Sequence, residues 1–192
     1  MKMRWRSAYQ RLALAYLMVC MPAGLLADVQ SNLSAMKAHM IFNFPAVIEW
    51  PHEIKRHVQT TRLCALGSHG AVMQEVKRLM MGQVGSHATL NPEATKDSVS
   101  ECDILFVAAE NEAYFLTLRH RLSALAVLTI GEGEAFIRSG GMIAFADADA
   151  PIPTKPKNQV GFYINPRLIE ARKLRFDPML LELADRIIEV AP

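Results

Sequence analysis

Short, nearly continuous apolar runs recur along this chain, and segments with helical spacing separate them. The clearest runs are Leu63–Gly67, Cys102–Ala108 and Ala126–Gly131. Runs of this length are typical of strands buried on both faces of a sheet, as in parallel sheets. Parallel neighbours need a long crossover connection, which is usually a helix. The pattern therefore predicts an α/β fold: a single-domain sandwich with a central mixed, largely parallel sheet and helices on both faces.

The C-terminal third of the chain departs from this alternation. Two predicted strands, Met142–Phe145 and Gln159–Ile164, have no helical pattern between them, so we expect an antiparallel hairpin at one edge of the sheet. Asn165 then suits a helix cap, with Pro166 at the first helical position. A terminal helix is predicted over Pro178–Val190, with its apolar residues Leu181, Ala184, Ile187 and Ile188 on one side.

The first helix of the domain is predicted from apolar residues at spacings of three to five. We expect Asn32 or Ser34 to cap its start and Trp50 to end it, since Pro51 follows. Pro45 predicts a kink or a fresh helical turn. The apolar positions are Met36, Met40, Ile41, Phe44, Val47 and Ile48.

A helix is predicted over Ala71–Met81, ended by Gly82, and a further helix over Glu110–Leu122 links two of the buried strands. Its spacing leads us to expect Ala113 and Leu116 on the core side, with Leu118 and Leu122 as further candidates.

Residues 1–27 have the features of a secretory signal peptide. A basic segment precedes a short apolar run, Leu12–Met21, and Ala27 offers a small residue for cleavage. A membrane-spanning helix needs about 20 apolar residues, so we expect cleavage, export and a mature domain over residues 28–192. An uncleaved anchor and a lipidated Cys20 are the alternatives. The basic residues are Lys2, Arg4, Arg6 and Arg11.

The net charge changes sign when the signal segment is removed. The full chain has 21 basic and 19 acidic residues, and residues 1–27 contain four basic and no acidic ones. That leaves 17 against 19, a net charge of −2. A domain with this balance has no general electrostatic attraction for nucleic acid, so we expect no nucleic-acid partner.

Cys64 and Cys102 are the two cysteines that remain after the predicted cleavage. An even pair in an exported chain favours a disulfide, and two buried free thiols are the alternative.

The motifs of common enzyme classes are missing or incomplete. The six histidines form no helical metal pair, and no Cys-x-x-Cys or Gly-x-Ser-x-Gly motif occurs. Gly131-Glu132-Gly133-Glu134 lies where a phosphate loop would be, but its glutamates would repel a phosphate and suit a helix N-terminus better. We therefore expect no enzyme, metal or cofactor.

Several short motifs, in their order and spacing, resemble the YfiR-like family of periplasmic proteins over roughly residues 34–190. They are Lys37-Ala38, Phe42-Asn43-Phe44, Trp50-Pro51, Leu63–Gly67, Cys102–Phe106, Leu128–Gly131, Gly140-Gly141-Met142-Ile143, Phe162–Asn165 and Leu180–Ala184.

The resemblance implies a periplasmic regulator that inhibits a membrane-bound diguanylate cyclase by binding its periplasmic sensor domain. Less cyclic di-GMP, exopolysaccharide and biofilm would follow. Sequestration by an outer-membrane lipoprotein and a homodimer are also implied, as is the absence of direct membrane insertion after cleavage. The best-known family member has two disulfides, whereas only Cys64 and Cys102 are available here. Redox control through a second bridge is therefore not implied.

A periplasmic sensor that binds a small ligand is the alternative function. In α/β sheets, ligands bind beyond the carboxyl ends of parallel strands. The segments concerned are Gly67–Gly70, Ala108–Asn111 and Gly131–Gly133. Plain strand-to-helix turns would explain the same small residues.

Overall fold

A computed structural model describes residues 23–51, 60–67, 70–82, 88–146 and 159–190, with only the backbone described for residues 23–30. Residues 1–22 of the predicted signal peptide and the segment 147–158 lie outside the described residues.

Helices and strands alternate through most of the chain. The helices are α1 (Ala23–Val47), α2 (Ala71–Gly82), α3 (Glu112–Leu122), α4 (Gly133–Arg138), α5 (Pro166–Ala171) and α6 (Met179–Leu183). The strands are β1 (Ile48–Glu49), β2 (Thr61–Leu66), β3 (Ala88–Asn91), β4 (Ile104–Val107), β5 (Leu128–Glu132), β6 (Ile143–Phe145), β7 (Phe162–Ile164), β8 (Arg175–Phe176) and β9 (Arg186–Ile187).

Within the described residues, the main sheet has seven strands in the order β3-β2-β4-β5-β6-β7-β9. All neighbours are parallel except β6 and β7, which pair antiparallel. The largely parallel mixed sheet and the antiparallel pair are thus confirmed. The predicted edge position of that pair is wrong, because β9 lies beyond β7. Strands β1 and β8 form a separate antiparallel pair.

Side chains that alternate along the strands build one core on each face of the sheet. In β4, Ile104 and Phe106 join Ile41 of α1 in the first core. Leu105 joins Phe115 of α3 in the second core. A strand buried on both faces has no polar side, which explains its continuous apolar sequence. Helices on both faces are confirmed.

Helix α1 begins earlier than predicted, at Ala23, so Asn32 and Ser34 lie inside it rather than at its cap. The segment before them is rich in alanine and leucine, which are good helix formers. The helix continues through Pro45 and ends at Val47, before Trp50.

The face of α3 that was predicted to turn inward is partly wrong. Ala113 and Leu116 are exposed, whereas Phe115, Leu118 and Leu122 are buried. Two sets of residues fit the helical period here, and the set that contains the phenylalanine buries more apolar surface.

The predicted terminal helix is wrong beyond residue 183. Asp185 pairs with β7 instead, because its N–H donates to the Phe162 carbonyl at 2.9 Å and its Oδ2 accepts from the Phe162 N–H at 2.7 Å. These bonds start strand β9, and Ile187 is half exposed rather than turned inward. The local cap at Asn165 is confirmed: its side chain accepts from the Leu168 N–H.

Candidate functional site

The carboxyl ends of β2 and β4 are where the chain connections diverge, since β2 leads to β3 on one side and β4 leads to β5 on the other. Such a switch point is the expected ligand crevice of an α/β sheet. Gly67 follows β2 with φ +95°, and a Cβ there would lie 2.5 Å from Asn111 Nδ2 and 2.9 Å from Ala108 Cβ. Two of the three predicted loops therefore meet, but the space between them is closely packed. Ser68 and His69 lie outside the described residues.

The third predicted loop has a packing role. Gly131 lies within β5, where a Cβ would stand 2.5 Å from Cγ of the Phe136 ring. Gly133 starts α4 with φ +77°. These two positions are explained by close packing and by the turn into the helix.

A charged pair joins α1 to the carboxyl end of β5. The Lys37 Nζ lies 2.9 Å from Glu132 Oε1, and the two side chains are 15% and 30% exposed. The same ammonium lies 5.7 Å from the centre of the Phe145 ring, within the range of a cation–π contact. A ligand carboxylate at the carboxyl end of β5 would compete with Glu132 for Lys37.

Metal-ligating groups do not gather in the part of the chain that the structure describes: no three His, Cys, Asp or Glu side chains are placed to hold an ion. Of the histidines, only His39 and His120 fall within that part.

The two cysteines lie together on the second face of the sheet. The sulfurs of Cys64 and Cys102 are 2.00 Å apart, at disulfide distance, and both residues are buried. Beside them, the Arg62 guanidinium donates to the Asp103 carboxylate at 3.0 and 3.3 Å, and that bond raises the pKa of Arg62. The bridge and the ion pair together tie β2 to the segment that leads into β4.

Three half-exposed apolar side chains occur in α6 and β9, at the chain end that forms the last strand of the main sheet. Met179, Leu183 and Ile187 are 50%, 58% and 51% exposed, and we call these three residues the edge surface. Met179 and Leu183 lie four residues apart on α6 and so share a helix face. The sequence does not indicate this exposed apolar surface, because its pattern predicted a continuous helix with Ile187 on the inner side.

The other side of β9 is charged. Glu134 of α4 accepts hydrogen bonds from Arg138 at 2.5 and 2.9 Å and also pairs with Arg186 of β9. Hydrogen bonding from Arg138, and then from Arg186, lowers the pKa of Glu134. Arg186 also lies over the Tyr163 ring, 5.6 Å from its centre.

Three solved structures are similar to this chain at low sequence identity. A domain in complex with L-Trp from Streptococcus pneumoniae has 11% identity and a TM-score of 0.50, over 81% of this chain and 60% of that one. A conserved domain protein from Vibrio cholerae has 12% identity and a TM-score of 0.46, over 71% and 58%. A substrate binding protein from Clostridium difficile has 8% identity and a TM-score of 0.46, over 72% and 58%. This chain thus spans about three fifths of each of these proteins.

Residues 34–185 match the YfiR/HmsC-like family, and the chain belongs to that family. The comparison with curated proteins found no match. Among the described helices, none combines the length and the apolar character that a membrane crossing needs.

Proposed function

We propose that this chain is an exported periplasmic regulator that inhibits a membrane-bound diguanylate cyclase by binding the cyclase's periplasmic sensor domain. Its presence would lower cyclic di-GMP and, with it, exopolysaccharide and biofilm. Membership of the YfiR/HmsC-like family over residues 34–185 is the observation that carries this proposal. The predicted signal peptide over residues 1–27 supports the location.

The edge surface is the contact that we assign to the cyclase domain. It consists of three half-exposed apolar side chains in α6 and in β9, and β9 pairs with β7 alone among the described strands. Strand edges of this kind accept partners through backbone hydrogen bonds, and exposed apolar side chains add affinity. The charged side of β9, with Arg186, would then help to set the orientation of the partner.

The function is tested by intracellular cyclic di-GMP in the native host with the gene intact, deleted and complemented. We expect a rise on deletion that the exported protein reverses and a version without residues 1–27 does not. An unchanged level under several growth conditions would contradict the inhibitor function. Co-purification of a cyclase and of an outer-membrane lipoprotein, and the molar mass in solution, test the partners and the homodimer.

The contact is tested separately with Leu183→Glu and Ile187→Glu. Both side chains are more than half exposed, so the folded state should tolerate the charge, whereas a docked apolar surface should not. Met81→Glu is a matched control, because Met81 is 80% exposed on α2. We expect the two edge variants to lose both cyclase binding and complementation while the control keeps them. Equal cyclase binding by all three variants would mean that the cyclase contacts another surface, and it would not contradict the proposed function.

A ligand-binding sensor is the second candidate, and the Lys37–Glu132 pair is the observation that favours it. A carboxylate-bearing ligand that binds beside Lys37 would raise the melting temperature of the wild type but not of Lys37→Met. Lys96→Met is the control, because Lys96 is exposed. If no amino acid or dicarboxylate raises the melting temperature while the cyclase domain does, the sensor function is refuted.

A further inference from the structure

Helix α3 has a solvent-facing side without any Asp, Glu, Lys or Arg. Phe115, Leu118 and Leu122 face the sheet and are buried, whereas Leu116 is 46% exposed. We call the opposite side the outer face of α3, and its members, all exposed, are Ala113, Leu116, Thr117 and His120. Surface helices normally have charged residues on the side that faces water. The outer face therefore has the composition of a contact rather than that of a free surface.

The charged residues around the outer face are sorted along the chain. The acidic pair comes first and the basic pair last: Glu110, Glu112, Arg119 and Arg121. This order agrees with the helix dipole, because negative charge is stabilised at the start of a helix and positive charge at its end. The segment thus has one negative and one positive end, and a matching partner needs the opposite order.

These four charged residues lie on two flanks of the outer face. Arg119 lies against Gly140 on the side of β6, with its Nε 2.9 Å from the position that a Cβ would take. Glu112 comes about two helical turns before Arg119 and so lies on the same flank. Arg121 and, about three turns before it, Glu110 lie on the opposite flank. Each flank therefore has one acidic residue near the start of α3 and one basic residue near its end.

A second copy of α3 that runs antiparallel has the required order of charges. The midpoint between Glu112 and Arg119 along the helix is also the midpoint between Glu110 and Arg121. One two-fold axis through this point would therefore set every acidic residue beside a basic residue of the other copy, on both flanks at once. A parallel pair would set like charges side by side.

The uncharged residues fit the same two-fold axis. Leu116 lies next to the midpoint, so its two copies would meet across the axis. Ala113 would lie between Leu116 and His120 of the other copy, where its short side chain leaves room for the larger ones. The Thr117 hydroxyl donates to the Tyr114 carbonyl of its own helix at 2.7 Å, so it needs no partner from outside.

We propose that the outer face of α3 is the interface between two copies of this chain, which pack as an antiparallel helix pair about a two-fold axis. The proposal names the surface of the homodimer and does not depend on the inhibition of a cyclase. One helix pair is small beside the roughly 1,200–2,000 Å² of a stable interface. We therefore expect a dimer that dissociates on dilution, with a dissociation constant on the order of 10 μM.

Sedimentation equilibrium of the exported domain, from well below to well above that concentration, tests the interface. Leu116→Glu should make the domain monomeric throughout, because it brings two carboxylates together at the axis. The half-exposed position should tolerate the charge in the monomer. Leu183→Glu is the matched control, since Leu183 is 58% exposed on α6, away from α3, and should still dimerise.

A pair of charge reversals tests the antiparallel order. Glu112→Arg and Arg119→Glu should each weaken self-association by about tenfold or more, because like charges then face each other twice across the axis. An equimolar mixture of the two variants should associate again, since every such contact between unlike copies joins opposite charges. High salt should reduce both effects.

Three results would overturn the proposal. They are a wild type that stays monomeric, a dimer that Leu116→Glu leaves intact, and a mixture of the two charge variants that associates no better than either alone. If the wild type were monomeric and Leu116→Glu lost cyclase binding, the outer face would be a cyclase contact instead. Cyclic di-GMP in the complemented host tests the inhibitory function separately, so the two failures can be told apart.

Discussion

Gly131→Ala should disrupt the second core, because the Phe136 ring occupies the space that the new methyl group needs. The Cβ would stand 2.5, 2.6 and 2.7 Å from Cγ, Cδ1 and Cδ2 of that ring. A Cβ on Gly141 would collide with the same ring. The two glycines therefore hold Phe136 between two strands, β5 and the start of β6.

The magnitude follows from how far the ring would have to move. Two carbon atoms rest at about 3.5 Å, so the contact is short by roughly 1 Å. The ring cannot retreat easily, since it is 1% exposed and its centre lies 4.8 Å from that of Phe115. Overpacking of a closed core costs about 1–3 kcal/mol, and we expect the upper half of that range. For a domain of this size the melting temperature should fall by roughly 5–10 °C.

Chemical and thermal unfolding of the exported domain would measure this loss. Gly82→Ala is the control, because nothing lies within 4 Å of its Cβ position at the end of α2. It should be neutral or slightly stabilising, since alanine is the better helix former. In a Phe136→Ala background, Gly131→Ala should cost less than about 1 kcal/mol, because alanine lacks the Cγ, Cδ1 and Cδ2 atoms that collide.

The reasoning would be refuted if Gly131→Ala lost no more stability than Gly82→Ala. It would also be refuted if the cost of Gly131→Ala were the same with Phe136 and with alanine at that position.

Three other predictions concern a covalent link, a cap and an ion pair. Reducing the Cys64–Cys102 bridge should lower the free energy of unfolding by about 2–4 kcal/mol in a denaturant titration. Asn165→Ala should cost about 2–3 kcal/mol, because the buried side chain accepts from the Leu168 N–H and donates to the Val190 carbonyl. Glu134→Gln should destabilise the fold at pH 7 but not in acid. The folded-state pKa of Glu134 is below its ordinary value of 4.5, so its contribution is present above that value and is lost as the pH falls through the folded one.

Each of these has a result that would contradict it. An intact mass without reductant that lacks the two-hydrogen deficit would rule out the bridge. Glu170→Gln, at an exposed position on α5, should show no difference from the wild type across the same pH range. A constant gap between Glu134→Gln and the wild type at every pH would exclude the ion pair as the cause. A cost at Asn165 below about 0.5 kcal/mol would mean that water replaces both bonds.

Local signals in the sequence were sufficient to predict most strands of the main sheet. The apolar runs at β2, β4 and β5, and the Asn165-Pro166 start of α5, depend on residues within a few positions of each other, so the strands and this cap could be predicted. The face of α3 could not, because Leu116 and Phe115 fit the helical period equally well. Only the neighbouring sheet decides which of them is covered.

The candidate sites depend on contacts between distant residues. Lys37 and Glu132 are 95 positions apart, and no pattern around either one indicates the other.

By itself, the sequence determined the class of fold, the positions of the buried strands along the chain and the family. Apolar periodicity and helix capping are short-range properties, because each depends on residues within a single stretch of the chain. The tertiary structure alone decided that residues 186–187 leave the predicted helix, since Asp185 exchanges its local helical bond for two bonds with Phe162. That exchange created the edge strand and exposed Ile187. It depends on where β7 lies, which is a property of the whole sheet and of no segment within it.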